Sequence, residues 1–383
     1  MKKVISIVLN NFKNDSRVLK ENLSLKNNNY HPVVLALWEE NLKEKEKIKD
    51  FDVHRIKLKT RKLPKNFFFN IIKFFELSFK IILKYNRSNI IHCNDLNSLP
   101  IGVIVKKFYN KDVKIVYDAH EHETEINGLK GKKKKFRKFL ERSLIKYADR
   151  VITVSDSIAE DYARMYGIEK PAIVLNTPPY TEVEKQDIFR EKFNIDKDNI
   201  IFLYQGKLSK GRGIEILVET FKSIAKDAKE KNINIPASIV FMGYGPLEDY
   251  LIKASKEYNN IYFHPAVSPN VLLNYTSSAD FVISLIEDIC LSYRYSLPNK
   301  MFEYIMAEVP LIVSNLPEMK KIVLDYNVGV VAKNNSIEGL KDAIKEATTL
   351  DKKELNSNLK KAKKVFNWEE QEKTLLQVYK SLD

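Results

Sequence analysis

The sequence predicts an α/β protein with two Rossmann-like, doubly wound parallel-sheet domains that face each other across a cleft. Short apolar runs alternate with longer helical patterns along the whole chain. Several of these runs lack the apolar–polar alternation of half-exposed strands, which is typical of strands covered on both faces. Strands of this kind, separated by helices, form parallel sheets with helices on both sides.

Thirteen apolar runs are the predicted strands. In the first half of the chain they are VISIVL, PVVLAL, VHRIKL, NIIHC, VKIVYDAH, RVITVS and AIVLN. In the second half they are IIFLYQG, ASIVFMG, NIYFH, DFVISLI, PLIVSN and GVVAK. Ligands of open α/β sheets bind beyond the carboxyl ends of the strands, so polar residues that follow these runs are the candidate functional residues.

A break in the pattern separates the two sets of strands. Pro178 and Pro179 interrupt regular structure, and a charged segment follows them. We therefore predict an N-terminal domain over 1–178, a linker over 179–198 and a C-terminal domain over 199–365. The amphipathic segment 366–383 is a predicted helix that packs back toward the N-terminal domain.

Composition limits the classes of partner. The net charge of +14 on 383 residues fits nucleic acid, an anionic membrane or a small anionic substrate. A nucleic-acid surface would gather its cations on one continuous face with interleaved aromatics, whereas here they are scattered apart from residues 130–138, so we predict no nucleic-acid partner. Cys93 and Cys290 lie far apart and outside any metal-type cluster, which predicts reduced thiols in a cytoplasmic protein.

Two segments invite a membrane interpretation. Segment 66–83 is strongly apolar, with a polar residue every three or four positions from Asn70 to Lys80. It is either a helix packed into its domain, which we favour, or a helix whose face touches lipid. Segment 130–147 crowds lysines at the start of an amphipathic helix, which is either a domain helix with a solvated rim or a site for anionic lipid. The lipid interpretations place the protein on the inner face of the plasma membrane.

A basic, glycine-rich turn follows the apolar run IIFLY, in the segment YQGKLSKGRGIEIL. Gly206 permits close backbone approach, Lys207 and Arg212 add two positive charges, and a helix from about Gly213 offers unpaired N–H groups. This combination predicts a cradle for a diphosphate, and the alternative is a solvated basic turn. A later turn, GYGPLEDYL, has Glu248 where a dinucleotide fingerprint has its third glycine, which argues against NAD.

Glu303 lies early in the predicted helix KMFEYIMA. An ionised carboxylate can accept hydrogen bonds from both hydroxyls of a ribose. The alternative role is a favourable charge near the helix N-terminus.

These motifs, in this order and spacing, resemble the retaining glycosyltransferases of family 4 (glycosyl transferases group 1), which have the GT-B fold. The segments that carry the resemblance are YQGKLSKGRGIE, GYGPLEDYL and LPNKMFEYIMAEVPLIVS in the second half, with NDSRVLKENLSLKNNNYHPVVLAL, IIHCNDL, IVYDAHE and RVITVSDSIAE in the first.

The resemblance implies an activity. A sugar would move from a nucleotide-diphospho-sugar, most often a UDP-sugar, to a glycan or lipid-linked glycan acceptor. We expect a lipid-linked or polysaccharide acceptor in bacterial-type surface glycan synthesis, with the acceptor on the N-terminal domain and the donor on the C-terminal domain. The alternatives are an epimerase or phosphorylase of the same fold, and a basic protein that binds nucleic acid or an anionic surface.

The resemblance also implies residue roles. Gly206, Lys207 and Arg212 would hold the donor diphosphate, and Glu303 the ribose. His120, in VYDAHE, would reach the donor sugar as a neutral imidazole. We expect His120, Lys207 and Arg212 to be the catalytic residues.

The sequence departs from the family in one motif. The second acid, eight positions before the ribose-binding one, is replaced by Tyr295. Its contact with the donor sugar would pass to the surrounding loop. The residues expected there are Tyr295, Ser296, Pro298, Asn299 and Lys300.

Three charged residues after strands of the first half are candidates for the acceptor side. Asp15 and Arg17 follow the first strand, and Asp95 follows NIIHC. Arg17 either meets an anionic acceptor group or forms a salt bridge within its domain. Asp95 either points toward an acceptor hydroxyl or caps the next helix.

No metal or other cofactor is expected. The strings Asp50/Asp52 and Asp196/Asp198 imitate an Asp-x-Asp metal motif, but each precedes a strand instead of following one. The spacing of His120 and His122 fits no zinc pattern, and we expect His122 to be a loop or core residue. Lys207 and Arg212 would neutralise the leaving diphosphate without a metal.

Overall fold

The apolar runs fold into the strands of two sheets, which the computed structural model describes over residues 1–64 and 66–382. Met1–Val174 and Glu372–Asp383 form the first unit, and Leu175–Gln371 form the second. Asp383, the end of the predicted C-terminal helix segment, lies outside the described residues. Each unit is an α/β unit with a mainly parallel sheet, which confirms the predicted fold class.

The first unit carries an eight-stranded sheet and its helices. The strands are β1 (Lys2–Ile7), β2 (Tyr30–Leu37), β3 (Lys45–Ile48), β4 (Phe51–Ile56), β5 (Ile90–Asn94), β6 (Lys114–Ala119), β7 (Arg150–Thr153) and β8 (Ala172–Ile173). The α-helices are α1 (Ser16–Asn27), α2 (Phe67–Tyr85), α3 (Leu99–Phe108), α4 (Gly131–Leu144) and α5 (Asp156–Tyr166). Short 3₁₀ helices span Lys59–Lys62 and Ile145–Tyr147.

The second unit carries a six-stranded sheet. Its strands are β9 (Ile200–Lys207), β10 (Ala237–Tyr244), β11 (Ile261–Pro265), β12 (Phe281–Ser284), β13 (Leu311–Ser314) and β14 (Gly329–Ala332). Its helices are α6 (Ile188–Phe193), α7 (Ile214–Glu230), α8 (Glu248–Glu257), α9 (Leu272–Ser277), α10 (Leu291–Arg294), α11 (Asn299–Met306), α12 (Pro317–Tyr326), α13 (Ile337–Thr349) and α14 (Lys352–Lys363). The last helix, α15 (Trp368–Lys380), starts in this unit and ends in the first.

The strand orders place the candidate residues at switch points. The first sheet runs β3-β4-β2-β1-β5-β6-β7-β8 and the second β11-β10-β9-β12-β13-β14. The chain reverses direction across the sheet beside β1 in the first unit and beside β9 in the second. Ligands bind at such points, beyond the carboxyl ends of the strands.

The central strands of the second sheet are buried on both faces. Ile201 and Leu203 face one apolar cluster, while Phe202 and Tyr204 face the other. This two-sided burial explains why the run IIFLY shows no apolar–polar alternation.

One strand has no counterpart among the predicted strands. β3 has the sequence KEKI and pairs antiparallel with β4 at the edge of the first sheet. Its register with β4 is Lys45 opposite His54 through Ile48 opposite Phe51. A short charged strand lacks the apolar signal on which the sequence analysis relied, because an edge strand needs little buried surface.

Helix α2 turns polar side chains toward the segment that precedes it in the first unit. Glu76 accepts hydrogen bonds from the backbone of Lys59 and Thr60 at 2.7 and 2.9 Å. Lys73 and Lys80 donate to the carbonyl groups of Leu63 and Lys57 at 2.7 and 2.6 Å. Three side chains of the polar stripe therefore form hydrogen bonds with the segment before the helix.

A second side of α2 is exposed and apolar. Phe68, Phe75, Phe79 and Leu83 are each at least 60% exposed, whereas Leu77, Ile81 and Ile82 are buried. The helix thus packs into its unit and also leaves an apolar face uncovered, so each of the two interpretations describes one side of it. None of the described helices is both long and apolar enough to cross a bilayer.

Helices α3 and α4 share a side of the sheet with α2. The connections β4-α2-β5, β5-α3-β6 and β6-α4-β7 cross the sheet in the same direction, and right-handed crossovers place their helices on one face. Phe108, at the end of α3, and Phe136 and Phe139, on α4, are exposed there. Exposed lysines of α4 lie among them: Lys132, Lys133 and Lys135.

Helix α7 starts where a glycine makes a close approach to β12. Gly213 is its N-cap residue, with φ of 70°, and a Cβ atom there would lie 2.5 Å from Cβ of Leu285. Gly167, at the end of α5, has a similar φ of 63° but open space around it. A substitution at Gly167 would therefore introduce backbone strain alone, whereas one at Gly213 would introduce both backbone strain and a steric conflict.

We expect Gly213→Ala to destabilise the protein more than Gly167→Ala. Positive φ alone costs an alanine about 1–2 kcal/mol at either position, and the conflict with Leu285 adds about 1–3 kcal/mol at Gly213 alone. Urea unfolding followed by circular dichroism gives both free energies of unfolding. Equal losses would contradict the close approach of the turn to Leu285.

Candidate active site

The basic turn of the second unit lies between the carboxyl end of β9 and α7. Gly206 and Gly211 have φ of 118° and 81°, values that favour glycine, and they let the backbone fold tightly back. A Cβ on Gly211 would lie 3.2 Å from the Tyr293 ring, so the turn packs against α10. Lys207 and Arg212 are thereby carried on one short, rigid turn.

The cations at this turn contact aromatic rings instead of acids. The Arg212 guanidinium lies 4.9 Å from the centroid of the Tyr293 ring, and the Lys300 ammonium 3.7 Å from that of Tyr204. The Lys207 side chain is exposed. Over residues 1–64 and 66–382, none of the three forms a salt bridge.

Glu303 is held in place by a residue that the sequence analysis missed. Gln205 donates from Nε2 to the Glu303 carboxylate at 2.6 Å, and its own carbonyl oxygen accepts from Thr276 Oγ1 at 2.7 Å. The backbone N–H of Gln205 donates to the Tyr304 hydroxyl at 3.1 Å. A polar residue near the end of a buried strand was the available signal for Gln205.

The position of Glu303 excludes the alternative role for it. The helix α11 begins at Asn299, and its first turn contains no acid. Glu303 therefore lies beyond the turn in which a carboxylate interacts well with the helix dipole. Its carboxylate is instead oriented by Gln205 next to β9.

The loop that precedes α11 brings the other predicted donor residues to the same edge. Tyr295 ends α10, and the Ser296 hydroxyl donates to the Tyr293 carbonyl at 2.8 Å. Pro298 is the N-cap residue of α11, and Asn299 and Lys300 are its first two residues. Lys300 contacts β9 through the ring of Tyr204.

In the first unit, His120 follows β6 and lies between two acids. Its Nε2 is 3.1 Å from Asp118 Oδ2, and its Nδ1 is 3.4 Å from Asp95 Oδ1. Burial opposes a charge on the ring, but the carboxylates of Asp118 and Asp95 outweigh it and raise the pKa of His120 to about 10. These contacts favour an imidazolium at neutral pH, in contrast to the neutral imidazole that the resemblance implies.

Asp95 faces His120 and does not cap the next helix. Its backbone has φ of 62°, and the N-cap residue of α3 is Ser98. The carboxylate of Asp95 is about half exposed, which leaves it accessible from solvent as well as to His120.

Arg17 is buried and serves the interior of the first unit. Its guanidinium donates to both oxygens of Asp118 at 3.0 and 2.8 Å and to the Val174 carbonyl at 2.7 Å, and its Nε lies 3.0 Å from Glu21. Of its two predicted roles, Arg17 therefore has the salt bridge within its own unit. Its guanidinium has no outward face that could meet an acceptor group. Asp15 likewise has a structural role, as the N-cap residue of α1 that accepts from Val18 N.

The ion pairs of Arg17 extend to the C-terminal helix. His92 lies 3.5 Å from Asp118, and its other ring nitrogen is 2.7 Å from the hydroxyl of Tyr379. Burial raises the pKa of Glu21 to about 8, while Arg17 and His120 hold the pKa of Asp118 well below its usual range despite burial. The sequence offered no sign that these residues, distant along the chain, would meet.

Within the described residues, the one group that could offer metal ligands is part of this network. Donor atoms of Glu21, His92 and Asp118 lie within 4.8 Å of one another. The guanidinium of Arg17 contacts both carboxylates, so the group already surrounds a cation. His122 is a core residue, with Nε2 2.7 Å from Asp161. Asp50 lies in the turn between β3 and β4, so it follows a strand, contrary to the expectation, and Asp52 is in β4; the string Asp196/Asp198 precedes β9.

Fold and site together define a class of protein. Two doubly wound α/β units, the second with unpaired cations beside an oriented carboxylate at its switch point, have the architecture of enzymes that bind phosphorylated substrates.

Family models identify the particular class. The model of Glycosyltransferase Family 4 matches residues 23–178, and that of Glycosyl transferases group 1 matches residues 185–366. Together the two matches extend over most of both units. The chain belongs to the group 1, family 4 glycosyltransferases, which confirms the resemblance read from its motifs.

Similar proteins agree with this assignment. MJ1069, an uncharacterised glycosyltransferase of Methanocaldococcus jannaschii, is 24% identical over 336 residues, which cover 82% of this chain and 78% of that protein. Sucrose-phosphate synthase of Thermosynechococcus elongatus superposes with a TM-score of 0.80 at 18% identity, over 100% of this chain and 99% of that one. HepE of Anabaena, solved with UDP-glucose, gives a TM-score of 0.71 at 12% identity over 100% of both chains. The similarity to these solved structures shows a common fold.

We expect the His120 ring to stay protonated well above pH 7. Because Asp95 helps to raise its pKa, Asp95→Asn lowers that pKa while leaving the buried Asp118 in place. Histidine-selective NMR across a pH titration measures both values, and His120→Gln identifies the resonance. A midpoint near the ordinary histidine value of about 6.5 in the unmodified protein would contradict the imidazolium.

Proposed function

We propose that this glycosyltransferase moves a sugar from a nucleotide-diphospho-sugar, with UDP as the first nucleotide to test, to a lipid-linked or polysaccharide acceptor in surface glycan synthesis. We propose further that it retains the anomeric configuration and needs no metal. One observation carries the donor assignment: Lys207 and Arg212 have no salt bridge among the described residues, and they lie on the turn at the end of β9.

Other cations of the same unit have acidic partners, and this difference supports an anion-binding role for the cations at the end of β9. Arg190 and Lys363 each pair with an acid, at 2.6 and 2.5 Å. Cations that the fold uses for its own stability are thus paired. The cations at the end of β9 carry charge that an external anion can neutralise.

The proposed donor geometry follows from the oriented groups. Glu303, fixed by Gln205, accepts hydrogen bonds from the two ribose hydroxyls. The diphosphate lies against the glycine turn and the start of α7, where N–H groups lack partners in the helix. HepE and the trehalose-6-phosphate protein of E. coli, whose structures contain UDP-glucose and UDP-2-fluoro glucose, have similar folds and support a UDP-sugar as the first donor to test.

Catalysis in this proposal is stabilisation of the leaving group. Negative charge builds on the diphosphate as the glycosidic bond breaks, and Lys207 and Arg212 are already positioned to interact with it. A preorganised contact of this kind contributes about 3 kcal/mol to transition-state stability. Retention then follows from attack by the acceptor hydroxyl on the face from which the diphosphate leaves. Asp95 and the His120 imidazolium are the proposed sugar and acceptor contacts of the first unit.

A membrane location is proposed from the outer face of the first unit. The exposed face of α2 and the aromatic residues of α4 offer apolar side chains, and the adjacent lysines offer positive charge. Apolar side chains insert at the headgroup boundary, and each nearby cation contributes about 1 kcal/mol on an anionic surface. The proposed place of work is the inner face of the plasma membrane, where a lipid-linked acceptor would be available.

We expect Lys207→Ala and Arg212→Ala each to lower kcat/KM about 100-fold, the equivalent of about 3 kcal/mol, and to weaken binding of UDP but not of uridine. Glu303→Gln should weaken both ligands, because both contain the ribose. Isothermal titration calorimetry and product analysis measure these effects.

Lys226→Ala is the matched control for these variants. It removes one positive charge from α7, at a side chain that is 76% exposed and remote from the turn, and should leave both affinities unchanged. Equal losses in Lys226→Ala and Lys207→Ala would overturn the diphosphate site. An altered donor sugar without transfer would favour the epimerase.

We expect Phe75→Ser combined with Phe79→Ser to abolish sedimentation with anionic vesicles, because the two rings leave the bilayer interface. Leu324→Ser, at an isolated exposed residue of α12 in the second unit, is the matched control and should sediment normally. Absence of binding by the unmodified protein to phosphatidylglycerol vesicles at low salt would overturn the membrane proposal.

A further inference from the structure

Lys300 occupies an unusual position below the basic turn. It is the second residue of α11, and its side chain passes beneath Gly206, where a Cβ atom would lie 4.0 Å from Lys300 Cδ. The ammonium group ends 3.7 Å from the centroid of the Tyr204 ring. The backbone that holds Lys207 and the side chain of Lys300 thus meet at the end of β9.

The ammonium of Lys300 is buried without a hydrogen-bond partner within residues 1–64 and 66–382. The other strongly buried lysine of this unit behaves differently. Lys363 has a side chain only 2% exposed and donates to Glu308 at 2.5 Å and to Glu182 at 2.8 Å. This chain therefore pairs a buried ammonium where the fold alone needs it.

The charged groups around Lys300 do not supply the missing partner. Burial, and then the positive charge of Arg212, hold the pKa of Lys300 well below its usual range. Glu303 acts in the opposite direction, but its carboxylate accepts from Gln205 at 2.6 Å. The Tyr204 phenol is neutral, because burial raises its pKa. An unpaired charge in such a place is costly, so the group needs an anion or loses its proton.

We propose that Lys300 is a third cation of the donor site, which stays unpaired in the free protein and forms an ion pair with the donor diphosphate when it binds. This inference rests on the proposed function and extends it. The amine takes its proton from solvent as the dianion arrives, so donor binding consumes a proton. A residue at the start of α11 would thereby make donor affinity depend on pH.

The position of the ammonium favours a diphosphate over the sugar or the base. Lys300 shares its surroundings with Arg212, and two cations this close are compatible only when an anion lies near both. A sugar hydroxyl is a neutral partner and would not compensate the repulsion between them.

The test measures proton uptake together with affinity. UDP is titrated calorimetrically at about pH 8, where its terminal phosphate is already fully ionised, in buffers of different ionisation enthalpy. Uptake by the unmodified protein, and none with uridine, is expected. Lys300→Met should lose the uptake and bind UDP about tenfold or more weakly, since a hydrogen bond to a charged group is removed. Absence of uptake by the unmodified protein would overturn the inference.

Two further variants separate a binding role from a structural one. Lys300→Arg stays charged at every accessible pH, so it should keep affinity for UDP but lose the proton uptake. Lys300→Met should melt at the same or a higher temperature than the unmodified protein without nucleotide, because it removes a buried amine that lacks a hydrogen-bond partner, and should gain less from added UDP. A lower melting temperature with unchanged UDP affinity would assign Lys300 to the fold alone.

The outcomes also separate this inference from the donor assignment. If Lys207→Ala weakens UDP binding while Lys300→Met leaves affinity and proton uptake unchanged, the diphosphate site stands and only the role of Lys300 is overturned. If the unmodified protein binds none of UDP, ADP and GDP, both proposals are overturned.

Discussion

Uncompensated positive charge at the end of β9 is the constraint on which the chemistry of the second unit depends. Burial and the positive charge of Arg212 hold the pKa of Lys300 well below its usual range, and the strand beside them is buried on both faces. The glycine turn, the two tyrosine rings and the Gln205–Glu303 hydrogen bond all serve to fix these charges in place. Such an arrangement lowers stability in the free protein, which is a common property of sites that bind charged ligands.

In the first unit, by contrast, the buried charged side chains contact one another. Arg17 forms an ion pair with Asp118 in the interior and lies beside Glu21, and Asp118 in turn helps to raise the pKa of His120. The result is an imidazolium with a fixed orientation at the end of β6. Tyr379 joins this network through His92, so the C-terminal helix contributes to the position of residues that are far from it along the chain.

The sheets could be predicted, and the candidate donor residues proposed, from the sequence because their signals are local. Apolar runs mark buried strands, and Lys207, Arg212 and Glu303 stand in recognisable segments directly after or near them. The charge of His120, the support of Glu303 by Gln205 and the burial of Lys300 depend on which side chains meet across different strands. For α2, periodicity revealed the polar stripe but not that the preceding segment would contact it.

The charged strand β3 has a consequence for the behaviour of the protein in a crowded solution. It lies at one margin of the first sheet, where unpaired N–H and C=O groups would otherwise invite a strand from a second molecule. Lys45 and Lys47 point outward along that margin, and repulsion between like charges discourages such pairing. The opposite margin ends in β8, which has only two residues. The sheet is thereby protected on both sides against the intermolecular stacking that leads to fibrils.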